Sequence, residues 1–314
     1  MTRALITGVA GQDGSYLSEQ LLAAGWTVHG SFREADDVSA VTPEVALHPL
    51  DLTDVPGIDR LIAEVEPTHI FNLAGISSVA YSWEHPVETA AVSGTAAVAL
   101  MAAAWHLQER TGIPVRFVQA ASAEIFGEPA TAPQTEATPI APVNPYGAAK
   151  ALAHLSAGVF RHRGLAVSSL VLYNHESPRR PPHFVTRKIT GAAAAYARGS
   201  RDIVPVGNLD ARRDWGWAPD YTRAMILAAE APTADNYVIA TGVSHSVRDL
   251  ADIAFGYVDC PNWDRYLVVD DTLKRPVDPA EHVGDAGHAR SGLGWRPTKS
   301  FEEIVIAMVE ADLR

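Results

Sequence analysis

Tyr146 and Lys150 stand four residues apart in Tyr-Gly-Ala-Ala-Lys, so one helix face presents both. A free tyrosine titrates near about 10 and is a poor base at neutral pH. A nearby ammonium, and the positive ring of an oxidised nicotinamide, favour the phenolate. Tyr146 can then take a hydroxyl proton while hydride leaves the same carbon. Ser122 follows a strand-like run and can hydrogen-bond the same substrate oxygen. Glu124 is the unusual member of the set. Oxidising an alcohol needs no carboxylate two positions beyond the serine, whereas eliminating water does. Once a sugar C4 is a ketone, the C5 hydrogen is acidic, and a carboxylate can remove it and protonate the departing 6-hydroxyl. A solvated loop glutamate is the plain alternative.

The hydride needs an acceptor. Gly8, Gly11 and Gly14 punctuate Gly-Val-Ala-Gly-Gln-Asp-Gly between a first strand and a first helix, with Gln12 and Asp13 inside the turn. Residues without Cβ let the backbone approach a pyrophosphate, which the helix N-terminus stabilises. Asp51 and Leu52 after the third strand, and Leu73 and Ala74 at the end of the fourth, are further candidates for the cofactor wall. Arg33 at the end of the second strand favours the 2′-phosphate of NADP, while Glu34, Asp36 and Asp37, which follow at once, suit the free ribose of NAD. NADP is the favoured expectation, with NAD open.

These residues need a frame. Apolar runs at Ala4–Thr7, Thr27–Phe32, Val45–Pro49, His69–Leu73, Val115–Ala120 and Leu165–Tyr173 read as strands. Helical spacing is found at Ser15–Ala24, Ile58–Val65, Val87–Gln108, Pro145–Arg161 and Phe184–Ala197. The alternation predicts an α/β fold, a doubly wound parallel sheet. Residues 1–173 form the dinucleotide-binding half. Residues 174–314 form a smaller substrate-binding lobe, with some segments returning to the sheet.

The chain has 314 residues and a formal net charge of −12, which argues against a nucleic-acid surface. Its one cysteine, Cys260, permits no intrachain disulfide and argues against a thiolate metal cluster, so no metal is expected. The opening Met-Thr-Arg-Ala-Leu-Ile-Thr-Gly reads as strand and turn rather than a secretory signal. No uninterrupted apolar run of about 18 residues suggests a membrane span. A cytoplasmic location is the expectation.

Long stretches resemble the GDP-mannose 4,6-dehydratase family of extended short-chain dehydrogenases. They include 5–17, Gln119 to Gly127, Asn174 to Arg180, 184–189, Gly207 to Gly216, Tyr237 to Gly242 and Leu293 to Pro297. The resemblance implies C4 oxidation, loss of water across C5 and C6 through Glu124, and return of hydride to C6. It gives a nucleotide-linked 4-keto-6-deoxy sugar from a nucleotide sugar, GDP-mannose being favoured. It also implies that Asn174, Glu176 and Lys188 contact the nucleotide, that Arg213 and Arg275 hold the diphosphate with Asp278 nearby, and that Arg179 touches the cofactor. Arginine forks suit phosphate oxygens. A homodimer through the helices at Val87–Gln108 and Pro145–Arg161 is the family expectation. Several positions depart from the family pattern. An Arg-Glu pair and an acidic segment replace paired arginines and serines after the second strand. Ser122, Ala123, Ser78, Trp217 and Asp278 replace Thr, Ser, His, His and Glu. A nucleotide-sugar 4-reductase or epimerase is the alternative, and a non-catalytic dinucleotide-binding regulator a remote one.

Overall fold

The computed structural model describes residues 2–314 except 274–276 and 278. Strand and helix alternate through the first half as β1 (Arg3–Thr7), α1 (Gln12–Ala23), β2 (Thr27–Phe32), β3 (Ala46–Pro49), α2 (Val55–Val65), β4 (His69–Asn72), α3 (Val79–Glu84), α4 (Pro86–Ala90), α5 (Ala96–Thr111), β5 (Arg116–Ser122), α6 (Pro145–His162) and β6 (Ala166–Leu172). Shorter pieces follow: β7 (Asn174–Glu176), α7 (Val185–Ala197), β8 (Val204–Val206), β9 (Arg212–Trp217), α8 (Ala218–Glu230), β10 (Asn236–Ile239), β11 (Ser244–Ser246), α9 (Val247–Tyr257), β12 (Leu267–Val269), β13 (Glu281–His282), α10 (Gly287–Leu293) and α11 (Phe301–Leu313).

Seven parallel strands make the main sheet in the order β10-β6-β5-β4-β1-β2-β3. This is the expected doubly wound α/β fold. The strand order reverses between β1 and β4, which opens a crevice at the carboxyl ends of the strands. One face is covered by α1, α8 and α10, through Leu17, Leu21, Met225 and Ala289. The other is covered by α2, α5 and α6, through Ile58, Ile62, Leu100, Met101 and Ala157. Strand β10 belongs to the second half of the chain but pairs with β6, because Val238 and Ile239 are apolar on both faces and fully buried. A separate core of Ile189, Ala193, Leu250, Phe255, Val305 and Val309 joins α7, α9 and α11 into the lobe.

Local chemistry sets the helix that carries Tyr146. Asn144 is its N-cap and accepts a hydrogen bond from the Gly147 amide, and Pro145 occupies the first turn, where its missing N–H costs nothing. The Ala-rich stretch departs from the single helix its spacing predicts. It runs from Pro86 to Thr111, and a π-turn at Ala91–Thr95 interrupts it. Ser93 there accepts a hydrogen bond from the Ile76 amide at 2.9 Å, and a Cβ on Gly94 would come within 3.2 Å of Leu152 on α6. The π-turn therefore draws this helix toward both the loop after β4 and α6, a contact that periodicity cannot register. By length and composition the helix could cross a bilayer, but half of its most apolar window is buried within the chain.

Candidate functional site

The carboxyl ends of β1, β4 and β5 carry a buried polar chain. Thr7 Oγ1 donates to Asn72 Oδ1 at 2.7 Å, Asn72 Nδ2 to Gln119 Oε1 at 2.8 Å, and Gln119 Nε2 to the Ala120 carbonyl at 2.9 Å. Lys150 Nζ donates to the same carbonyl at 2.9 Å and stands 5.9 Å from the centre of the Tyr146 ring. Burial pushes the Lys150 ammonium down to about 8. Burial likewise pushes the Tyr146 phenol up to about 12, and the Ser122 hydroxyl and the Arg180 charge offset part of that rise. The protein groups alone therefore leave Tyr146 protonated at neutral pH. A further positive charge over the site is needed for it to act as a base.

Glu124 sits on a short 3₁₀ turn, Ala123–Phe126, that Ser122 caps by accepting from the Glu124 amide. Asn144 Nδ2 donates to Glu124 Oε2 at 2.8 Å, so the residue that starts α6 also holds this carboxylate. Packing is close: a Cβ on Gly147 would lie 2.4 Å from the Glu124 carbonyl oxygen. The structure thus brings Ser122, Glu124, Tyr146 and Lys150 to one place, all lining a cleft of about 1100 Å³.

The Gly-rich turn forms the floor of the same cleft. Gly8 has φ +71°, and a Cβ there would lie 2.9 Å from Ala74 Cα. A Cβ on Gly14 would lie 2.4 Å from the Gly8 carbonyl oxygen. The turn is thus closed to side chains and lies at the N-terminus of α1, which fits a dinucleotide pyrophosphate. Gly11, Arg33, Asp51, Leu52, Leu73 and Ala74 also line the cleft. Asp51 accepts from the Thr53 amide and hydroxyl, both at 2.8 Å.

Gln12 and Asp13 line the cleft, but their side chains reach across to the segment after β6. Gln12 donates to the His175 carbonyl at 3.1 Å and accepts from Ser177 Oγ at 2.8 Å. Asp13 Oδ2 is 2.8 Å from His175 Nε2, and His175 Nδ1 is 2.7 Å from the Tyr173 carbonyl. Both ring nitrogens face acceptors, so the pair is imidazolium and carboxylate. Burial opposes this, but the Asp13 charge and hydrogen bond hold His175 above its usual 6.5. Burial likewise opposes ionisation of Asp13, and His175 outweighs it to hold the carboxyl below its usual 3.8. Sequence reasoning missed His175 as a functional group. Its only signal was membership of the Asn174–Arg180 run.

On the substrate side, Asn174, Glu176, Lys188 and Arg213 all line the cleft. Thr186 Oγ1 donates to Glu176 Oε2 at 2.6 Å, and Arg180 Nε lies 3.4 Å from the same oxygen. Arg213 is anchored by donating to the Arg212 and Pro279 carbonyls at 2.7 and 2.9 Å. Arg275 and Asp278 lie outside the described residues. Arg179 points elsewhere in this structure. Its guanidinium pairs with Glu19 at 2.6 Å, donates to Ser15 Oγ and lies 4.0 Å over the Tyr16 ring. The next residue, Arg180, lines the cleft and stacks 3.7 Å over Phe184.

The chain matches the family described as GDP-mannose 4,6 dehydratase over residues 5–308. The chain belongs to the GDP-mannose 4,6-dehydratase family. GDP-mannose 4,6 dehydratase 2 of Arabidopsis thaliana is 41% identical over 99% of this chain and 86% of the plant protein. The Homo sapiens GDP-mannose 4,6 dehydratase is 36% identical over 99% of this chain and 91% of its own length. Membership makes the chain an enzyme of the nucleotide-sugar 4,6-dehydratase type. Among solved structures, the UDP-glucose 4-epimerase of Thermus thermophilus in complex with NAD superposes with a TM-score of 0.87 at 26% identity, covering 99% of each chain.

The His175–Asp13 pair has a pH signature. A histidine whose pKa is raised on folding contributes stability that is complete below 6.5 and is lost as pH rises through the folded value. The contribution of His175 to stability, taken as the difference between the native protein and His175→Gln, is therefore expected to fall as pH rises above 6.5. Urea unfolding of both proteins at a series of pH values would read that difference. An identical slope in both proteins would show that folding does not raise the His175 pKa.

Proposed function

We propose that the protein converts GDP-mannose to GDP-4-keto-6-deoxymannose, using a nicotinamide dinucleotide that is regenerated in each turnover. The reading is carried by Glu124, a carboxylate held by Asn144 beside the Ser122, Tyr146 and Lys150 set. When bound, the nicotinamide supplies the place to store a hydride taken from C4 and returned to C6. The remaining steps belong to the chain. Ser122 orients the 4-hydroxyl, and Tyr146 takes its proton, with the Lys150 charge favouring the phenolate. With C4 a ketone, Glu124 removes the C5 proton and delivers it to the C6 oxygen, which leaves as water. With hydride restored to C6, Tyr146 gives its proton to C5, and the C4 enolate regains its carbonyl. No external reductant is consumed.

Lys188 and Arg213, half-buried and buried on the cleft wall, supply the positive charge that a nucleotide diphosphate requires. At the adenosine end, Arg33 argues for NADP and the carboxylate that holds it argues for NAD. Glu124→Gln is expected to lose dehydration of GDP-mannose by at least roughly a hundredfold while still binding dinucleotide. Mass spectrometry of the nucleotide sugar gives the first readout and fluorescence titration the second. Wild-type turnover in the variant would remove Glu124 from the mechanism.

The chain is further proposed to act as an isologous dimer. Leu152, Leu155 and Val159 form an apolar stripe on α6 that is 45%, 57% and 63% exposed, and Val87 is 82% exposed. Spacing of three and four residues puts the stripe on one helix face, suited to a symmetry mate. Light scattering is expected to give twice the chain mass for the native protein and the single-chain mass for Leu155→Glu/Val159→Glu. A monomeric native protein would contradict this assembly.

A further inference from the structure

Once a pyrophosphate rests on the N-terminus of α1, the adenosine half of a dinucleotide extends to the carboxyl ends of β2 and β3. The cleft wall there carries Arg33, Asp36, Asp37, Asp51, Tyr81 and Glu88. Arg33 is its one lysine or arginine among the described lining residues. The others, Lys150, Arg180, Lys188 and Arg213, belong to α6, the segment after β7, α7 and β9.

Arg33 is already engaged. Its Nε and Nη2 donate to Asp36 Oδ1 at 3.2 and 3.0 Å, and its main-chain N–H donates to Asp36 Oδ2 at 2.9 Å. Both oxygens of Asp36 are thereby turned back onto the end of β2. Glu88 accepts from the Tyr81 hydroxyl at 2.8 Å, which holds a second carboxylate on this wall. The Arg33 guanidinium is raised first by its bond to Asp36, and Glu88 and Asp51 add to the same field. Several fixed negative charges thus surround one positive charge that is already paired.

We propose that the Arg33–Asp36 pair, set among these carboxylates, makes this chain select NAD over NADP. The inference rests on the reading of the cleft as a dinucleotide site. A 2′-phosphate would bring nearly two further negative charges. To reach Arg33 it would have to displace charge-assisted hydrogen bonds already made to Asp36. A free 2′-hydroxyl avoids both costs, since it can donate to a carboxylate. Arg33 by its type pointed to NADP, and its partner reverses that expectation.

The test is calorimetric titration of the nucleotide-free protein with NAD and with NADP, which needs no turnover. NAD is expected to bind roughly tenfold tighter or better. Asp36→Ser frees Arg33 and is expected to shift the NAD-to-NADP ratio toward NADP by roughly tenfold, with a smaller change for NAD alone. Because these groups are partly exposed, raising the salt concentration should narrow the native ratio. Tighter NADP binding by the native chain, or an unchanged ratio in a folded Asp36→Ser protein, would overturn the proposal. Binding of neither dinucleotide would overturn the cofactor reading beneath it as well.

Discussion

A buried ammonium is the constraint around which this site is arranged. Lys150 is 6% exposed, and an ammonium removed from water must find acceptors or lose its proton. Its acceptor is the Ala120 carbonyl, which also receives the Gln119 amide at the end of a side-chain relay from Thr7 through Asn72. That relay crosses three adjacent strands, β1, β4 and β5, at their carboxyl ends. It therefore spans the point where the strand order of the sheet reverses. The place where a parallel sheet opens a crevice and the place where Lys150 can be held are the same. The π-turn joins this region too, since a Cβ on Gly75 would meet Ser93 Oγ at 3.1 Å and Lys150 Nζ at 3.6 Å.

The two ends of the chemistry are tied through the Gly-rich turn. Gln12 and Asp13 belong to the Gly-rich turn, proposed to accept the pyrophosphate, yet their side chains are bonded to His175 and Ser177, next to Asn174 and Glu176 on the opposite wall of the cleft. Hydride transfer demands that the nicotinamide and the sugar meet within a fraction of an ångström. A turn and a strand locked by an ion pair and two amide hydrogen bonds would supply that registration in the proposed reaction. His175 also stacks on Tyr221 at 4.5 Å, which anchors the lock to α8 and the main sheet.

Much of the parallel sheet and its first helices was legible in the sequence, because their signals are local. Helical spacing around Leu17 and Leu21, the Gly8–Gly14 turn and the apolar runs of β1, β2 and β4 each lie within a dozen residues or so. What escaped reading depends on distant partners. The role of His175 is set by Asp13, 162 positions away. The π-turn is set by Ile76, 17 positions from Ser93. The three-residue strands β7, β8 and β11 are too short for a period of two to show. Arg179 and Arg180 are adjacent in an irregular turn, and residue type alone does not say which one enters the cleft. Arg33 was readable as a cation at the adenosine end, but its capture by Asp36 was not.

The central claim is that oxidation, elimination and reduction form one closed cycle, with Tyr146 and Glu124 each moving its own proton. Turnover of GDP-mannose carrying deuterium at C4, in ordinary water with a trace of dinucleotide and no reductant, tests it most directly. The account predicts a product lighter by one water, with the deuterium found at C6 and solvent hydrogen at C5. Loss of the deuterium to solvent, or its return to C4 with no loss of water, would contradict it.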